Sequence, residues 1–367
     1  METVVRSTTL SMKFCNAAKC SVFQKFVADY SVVLQHSIDE LFFAEKLPAF
    51  YAAGSHGTNL TVTALQAAGK QACQIVKGER ALARKQKRQP AKPLAKNVVV
   101  DLDERFVSLE TGTQGEFDAW LTVKRFESLG GKKALRVEVP LRLTKHFNKL
   151  ISDGWTLKKG VKLNLRMNCF VFHFERSVTL RSEGETLGID VGITDTISDS
   201  RGNKTSDKIH PHGWTMVTVL QNLQRKKKGS KGFKRAQLLR DNFTGWAVNQ
   251  LNLDGVKELK LENIKHMKRG KTMDRFRGSW SYPLIFDRLK RRAEEQNVSV
   301  TLVNPRNTSR ACSSCGAVDA KSRKGKSFEC VTCGHTADAD LNAAQNIKRA
   351  SAAHLQRGVC SPSSKNE

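Results

Sequence analysis

Hydrophobic spacing changes character along this chain, and each change predicts a different kind of element. Residues 1 to about 15 alternate weakly, as a single strand does. From about 20 to 80 the apolar residues recur at helical spacing, in FQKFVADYSVVLQHSIDELFFAEKL and NLTVTALQAAGKQACQIVKGERALARK. Gly54 to Gly57 separates the two helical stretches, and Pro90 and Pro93 end the second. From about 98 to 180 the period shortens. NVVVDL, AWLTVKRF, LRVEVPLRL, VKLNLRM and FVFHFERSV are short and rich in β-branched and aromatic residues, with GTQGE and ESLGGKK as turns. They predict an antiparallel, barrel-like domain. Beyond 181 strands and helices alternate. TLGIDVGITDTISD reads as a hairpin-forming pair of strands, Gln221 to Leu251 as a long helix broken by GSKG, and VKELKLENI as a strand. YPLIFDRLKRRAEEQN follows as a helix and VSVTLVNP as a strand, so an α/β layer is predicted. The tail SPSSKNE has the composition of a disordered end.

Length and charge narrow the function. A chain of 367 residues, 39% hydrophobic, fits about two or three domains with a real core. It holds no apolar run of about 18 residues, so no membrane span is predicted. METVVRSTTLSMKF lacks the apolar stretch of a secretory signal, so an intracellular protein is expected. Sixty-two Lys and Arg against 35 Asp and Glu give a net charge of +27, which points to a polyanionic partner. The basic residues concentrate in Arg225 to Arg235, Arg84 to Lys96 and Ile264 to Arg277. Three distant runs suit one long phosphate-binding channel better than a single lipid anchor. Nine cysteines, five of them scattered (Cys15, Cys20, Cys73, Cys169, Cys360), argue against a disulfide framework.

Three carboxylates stand out against this basic background. In GETLGIDVGITD, alternation puts Leu187, Ile189, Val191 and Ile193 on one face of a strand and Gly188, Asp190 and Gly192 on the other. The flanking glycines are expected to clear space for a metal and a phosphate backbone. Glu262 closes the strand of LKLENIKHM. In DADLNAAQNI, Asp338 is an N-cap candidate and Asp340 lies in the first helical turn, with Leu341, Ala344 and Ile347 as the buried stripe. Taken singly, these acids read equally as a solvated strand residue, an exposed glutamate and an acidic helix start. Together they fit a two-metal phosphodiester site, since Mg²⁺ prefers hard oxygen ligands.

The sharpest local signal is CSSCG and CVTCG, which supply Cys312, Cys315, Cys330 and Cys333 as CxxC, fourteen residues, CxxC. This spacing suits one tetrahedral structural zinc, with all four ligands from the protein. A redox dithiol would need one pair beside a thioredoxin-like unit. The intervening loop carries Lys321, Arg323, Lys324 and Lys326, which are placed to touch a phosphate backbone.

GIDVGITD, the later LENI, and NPRNTSRACSSCG followed by FECVTCGHTADADLNAAQNI resemble the RuvC-like nuclease halves and zinc ribbon of TnpB. TnpB proteins are transposon-encoded, RNA-guided DNA nucleases ancestral to type V CRISPR effectors. The order Asp, Glu, zinc ribbon, Asp is that family's order; the resemblance covers about 181–350 and is most specific in 302–347.

The resemblance implies α/β, α and β parts: an RNase H-like (RuvC) nuclease domain with an inserted zinc ribbon, a β-barrel wedge domain and a helical recognition domain. Residues 1–15 and 98–180 would form the wedge, 16–97 the recognition domain, 181–309 and 335–352 the nuclease, and 310–334 the zinc ribbon, leaving 353–367 as the tail. It implies that Asp190, Glu262 and Asp340 form the catalytic triad on two Mg²⁺ ions, and that the four cysteines hold Zn²⁺. It implies a non-coding guide RNA and double-stranded target DNA as partners, a short target-adjacent motif read by the protein, and one site cutting both strands in turn. A monomer is expected. The same chemistry would serve a compact type V CRISPR effector; a non-cleaving, RNA-guided repressor could dispense with an acid, yet all three are present. A strand-joining transposase fits least. Arg225, Lys226, Lys227, Lys228, Lys231, Lys234 and Arg235 are either contacts to the guide–target duplex or RNA scaffold, or a solvated helix face. Trp214, Trp246 and Trp280 are either base-stacking platforms or core residues.

Overall fold

The computed structural model describes residues 2–112, 115–128, 134–264 and 275–351. Most of the basic run Ile264 to Arg277, the centre of ESLGGKK, Cys360 and the tail lie outside the described residues. The chain forms two compact units, one of Thr3–Ser177 and one beginning at Val178.

In the first unit, β1 (Glu2–Ser11) precedes two long helices, α1 (Ala17–Phe43) and α2 (Val62–Gln86). Each begins at a side-chain cap: Asn16 accepts from Lys19 N, and Thr61 from Ala64 N. α1 buries Phe23, Phe26, Tyr30, Val33, Leu34, Ile38 and Leu41 along one stripe. α2 answers with Ala64, Ala67, Ala68, Ala72 and Val76, small side chains that let the helices lie close. Then come β2 (Val100–Leu102), β3 (Val107–Thr111), β4 (Ala119–Ser128), β5 (Ala134–Leu141), α3 (Lys145–Ser152), β6 (Thr156–Asn164) and β7 (Cys169–Val178). They pair as two sheets, β1-β7-β6-β2 and β3-β4-β5, where the sequence predicts one barrel-like domain. β4 shifts register between Lys124 and Ser128, and β6 between Leu157 and Val161, so both bend.

The second unit carries β8 (Glu185–Asp190), β9 (Ser198–Asp199), α4 (Met216–Gln224), α5 (Lys231–Asn249) and β10 (Val256–Glu262). It continues with α6 (Arg275–Ser279), α7 (Tyr282–Glu295), β11 (Ser299–Val303), β12 (Arg323–Lys324), β13 (Ser327–Glu329), β14 (Thr336–Asp338) and α8 (Ala339–Arg349). The main sheet runs β11-β10-β8-β9; the first three strands are parallel and β9 returns antiparallel to β8 as the predicted hairpin. The basic helix breaks between α4 and α5 at the predicted turn, where Ser230 caps α5.

Strand alternation gives the sheet two unlike faces. Leu187, Ile189, Leu259 and Leu261 pack with Val248, Ile285, Phe286 and Leu289 into one apolar core. Each such side chain contributes roughly 1.5–3 kcal/mol on burial. Gly188, Asp190, Lys260 and Glu262 face the other way, where α8 lies. A Cβ on Gly188 would sit 2.1 Å from Ala344 O and 2.5 Å from Lys348 N. That glycine therefore makes room for α8, not for a metal or a phosphate as the sequence suggested. Gly192 does not clear ligand space either; its N–H donates to Asp195 O at 3.0 Å within a tight turn. Lys260 Nζ donates to Lys348 O at 3.1 Å and Ala350 O at 2.7 Å, satisfying carbonyls at the end of α8.

The buried stripe of α8 also differs from expectation. Ala339, Asp340, Asn342, Ala343, Ala344 and Ile347 are buried and Leu341 is only half-buried. Asn342 explains the shift. Its Oδ1 accepts from Ser313 N and its Nδ2 donates to Ala311 O, both at 2.8 Å, which ties α8 to the cysteine-rich segment.

Candidate active site

Register brings the first two acids level. Leu261 pairs with Ile189 across the parallel strands β10 and β8, so the next residues, Glu262 and Asp190, come abreast on the opposite face. They stand at the carboxyl ends of parallel strands, where open α/β sheets expose their ligand sites. Asp340 joins them from the first turn of α8 and is only 6% exposed.

The electrostatics register this gathering. Burial, then the charges of Glu262 and Asp340, push the Asp190 carboxyl up to about 7, with Arg323 opposing. Burial also raises Glu262, against a hydrogen bond from the Thr308 hydroxyl and the charge of Arg323. The trio is still open: among the described residues, the group whose ligand atoms all lie within 4.8 Å of one another is the cysteine quartet.

Neighbouring groups that the sequence either did not mark or marked for another role complete the picture. Arg323 Nη2 donates to Asp340 Oδ1 at 3.2 Å. Lys326 Nζ donates to Asp340 Oδ2 and, at 2.6 Å, to Asp195 Oδ2. Two of the four ribbon-loop cations expected at a phosphate backbone thus point at carboxylates, although Lys326, like Lys321 and Lys324, is exposed. Thr308 is signalled by nothing except its place in NPRNTSR. Asp195 lies in plain view in GITD, but only a long-range contact reveals its partner.

The residues fit a divalent cation. Three hard carboxylates raise one another's demand for positive charge, and buried oxygens near them along the chain or across the sheet lack partners: Thr196 Oγ1, Ser198 Oγ and Asn263 Oδ1. Ser198 pairs directly with Asp190 across β8 and β9, and Asn263 follows Glu262.

Asp338 takes the capping position predicted for it. Its Oδ1 accepts from Asp340 N at 2.9 Å and Leu341 N at 3.2 Å, and Lys204 Nζ lies 2.6 Å from Oδ2. It therefore fixes the start of α8 and is committed to that role.

Cys312, Cys315, Cys330 and Cys333 come together. Cys312 and Cys333 sulfurs lie 3.7 Å apart and those of Cys315 and Cys330 3.6 Å apart. Tetrahedral zinc with Zn–S of about 2.3 Å needs sulfurs about 3.8 Å apart, so the quartet fits that ion. The two CxxCG turns are alike: Gly316 N donates to Cys312 O and Gly334 N to Cys330 O, both at 2.9 Å. Gly316 and Gly334 adopt φ of +78° and +71°, which a side chain would resist.

The seven basic residues of the 225–235 run are all exposed: Arg225 ends α4, Lys226, Lys227 and Lys228 occupy the turn, and Lys231, Lys234 and Arg235 open α5. Trp214, Trp246 and Trp280 are half-buried against the apolar clusters of this unit, which is the core reading of the two.

Residues 282–347 match the family described as Cas12f1-like, TNB domain. The likeness is to the TnpB and type V effector superfamily. It does not single out TnpB. The CRISPR-associated endodeoxyribonuclease Cas12f1 of Sulfoacidibacillus thermotolerans is 31% identical over 106 residues, 29% of this chain and 25% of that protein. The protein of the same name from an uncultured archaeon is 31% identical over 258 residues, 62% of this chain and 44% of that one. The chain thus spans less than half the length of these curated relatives. By fold it superposes on the cryo-EM structure of the Cas12f1-sgRNA-target DNA complex with a TM-score of 0.55 at 14% identity, over 91% of this chain and 83% of that one. On the mini-RNA-guided endonuclease CRISPR-Cas_phi3 the score is 0.51 at 9% identity, over 94% and 92%.

Proposed function

We propose that this protein is an RNA-guided, metal-dependent DNA endonuclease of the compact type V effector kind. One observation carries the reading: the register of β10 on β8 sets Glu262 beside Asp190 in a half-buried, mutually repelling acid group that the buried Asp340 completes. The names of the similar proteins support the partners, guide RNA and target DNA, and favour a type V effector over the TnpB reading.

Asp190, Glu262 and Asp340 would hold Mg²⁺, which when bound activates water and stabilises the leaving oxygen of a phosphodiester. The rest is positioning by the chain. Thr308 orients the Glu262 carboxylate, and the Tyr282 hydroxyl donates to the Glu262 carbonyl. The cysteine quartet would hold Zn²⁺ and stiffen the ribbon that leads through β14 directly into α8. Cations at the start of α5 oppose the helix dipole, each at a cost of about 0.3–1 kcal/mol, so Lys231 and Lys234 are poorly explained by helix stability. A nucleic-acid backbone explains them.

Sequencing the RNA that co-purifies with the protein, then challenging the complex with DNA matching the variable part of that RNA, tests the reading. Mg²⁺-dependent cutting of matched but not mismatched DNA is expected. A protein that carries no discrete RNA, or cuts without regard to match, would sink it.

A further inference from the structure

The acid group is already partly neutralised from within. Both Asp340 oxygens are taken, Oδ1 by Arg323 and Oδ2 by Lys326. Each oxygen keeps a second lone pair, but an ammonium held against Asp340 repels a divalent ion, so ligation by Asp340 is favoured when one of these cations moves away. Arg323 is also tied to the ribbon backbone through Nε, which donates to Gly325 O at 3.3 Å. Lys326 instead has a second carboxylate within reach, Asp195, at 2.6 Å.

The backbone keeps Lys326 where this choice matters. Arg323 pairs with Phe328 and Lys324 with Ser327, so Gly325 and Lys326 form a two-residue hairpin turn, with Gly325 at φ +63°. Phe328 is fully buried in the ribbon core. Ala339 N donates to Lys326 O at 2.9 Å, pinning the turn one residue before Asp340. Only the side chain of Lys326 is left to move.

Asp195 is suited to receive it. The residue is 5% exposed, its Oδ2 already accepts from Lys326, and the Ser206 hydroxyl also hydrogen-bonds its carboxylate, so the site is built to hold a charged group. A lysine ammonium carries three donors and can occupy both oxygens at once.

We propose that Lys326 stands in for the divalent ion on Asp340 in the metal-free protein, and that Asp195 is the positioning residue that takes the ammonium when the ion binds. The inference rests on the metal-site reading above. It makes Asp195 an aid to metal binding although it need not touch the metal, and makes Lys326 a competitor of the metal.

Mn²⁺ binding to the full chain, followed by calorimetry or electron paramagnetic resonance without nucleic acid, tests it. Lys326→Gln should tighten Mn²⁺ binding and Asp195→Asn should weaken it, each by about two- to a hundredfold, the range of couplings between contacting residues. The double variant should bind like Lys326→Gln alone, because Asp195 has no role once the ammonium is gone. A purely structural Asp195 would weaken binding whether or not Lys326 is present. Unchanged or tighter binding in Asp195→Asn, or a double variant weaker than Lys326→Gln, overturns the proposal. Zinc content and thermal midpoint report folding; if Asp195→Asn does not fold, Lys326→Gln decides, and an affinity no tighter than wild type overturns it. Mn²⁺ binding that survives Asp190→Ala at full strength overturns the acid-site reading itself, and this inference with it.

Discussion

Glu262 stands level with Asp190 on the adjacent parallel strand, one residue beyond the Leu261–Ile189 pair. Two half-buried carboxylates side by side repel each other, and that repulsion is relieved by protons or by cations. The first two predictions follow from this pair.

Replacing Asp190 by Ala should reduce DNA cleavage by at least about a hundredfold, the scale on which losing one charge-stabilising group acts. RNA binding should be retained, since Asp190 belongs to a small acid group and carries none of the positive charge that draws a phosphate backbone. Single-turnover cleavage and filter binding on the same preparation check both halves. Wild-type cutting by this variant would remove Asp190 from the site.

The pH dependence has a definite sign. The Asp190 carboxyl rises to about 7 in the folded protein, from 3.8. The folded state therefore holds a proton that the unfolded state has released, and metal-free stability should fall as pH rises from about 4 to 7. Asp190→Asn should remove this loss and be more stable than wild type at neutral pH by roughly 1–3 kcal/mol, with no advantage near pH 4. Urea unfolding in EDTA at several pH values measures it. Protons and metal compete for the same oxygens, so Mn²⁺ binding to the wild type should weaken as pH falls below 7.

Gly188→Ala should be strongly destabilising, by about 2–4 kcal/mol or more, because its Cβ would meet the α8 backbone and no side chain can swing away. Gly229→Ala, where nothing lies within 4 Å, should cost far less, only the strain of its φ of +84°. Chemical denaturation of the two variants compares them. Equal losses would show that α8 does not lie against β8.

Stripping a zinc ion held by the cysteine quartet, as proposed, should loosen more than the ribbon. β14 ends at Asp338, the cap of α8, and Lys326 and Arg323 reach Asp340 from the β12–β13 hairpin. Cys330→Ser should therefore lose bound zinc and lower hydrogen-exchange protection through residues 312–345. Protection lost in 312–334 alone would separate the ribbon from the acid site.

Neutralising Lys227, Lys228, Lys231 and Lys234 should flatten the dependence of nucleic-acid affinity on salt, by about 0.7–0.9 in slope for each phosphate contact removed. An unchanged slope would assign this run to a solvated surface.

Much of the site's chemistry was readable from the chain alone. CxxC pairs announce thiolate ligands because spacing within a turn fixes where the sulfurs go, and the quartet duly closes to a tetrahedral edge. Alternation in TLGID separates the face of Asp190 from that of Leu187 and Ile189, because pleating is a local property of the strand. Asp338 reads as a cap because the N–H groups it satisfies lie two and three residues on.

Other features were hidden because they join residues that sequence does not relate. Two sheets where one barrel was predicted reflect pairing partners, which β propensity does not specify. Gly188 looks like a clearing for a ligand until α8, more than 150 positions later, is seen lying on it. Lys326 looks like a phosphate contact until it is found bridging Asp340 and Asp195, the latter 131 residues away. Donor chemistry, helix caps and the face of each strand were legible in the chain, because each is set within a few residues. That Asp195 borders the acid group, and that Arg323 and Lys326 already sit on Asp340, emerged from strand register and helix docking, which packing across the whole unit settles.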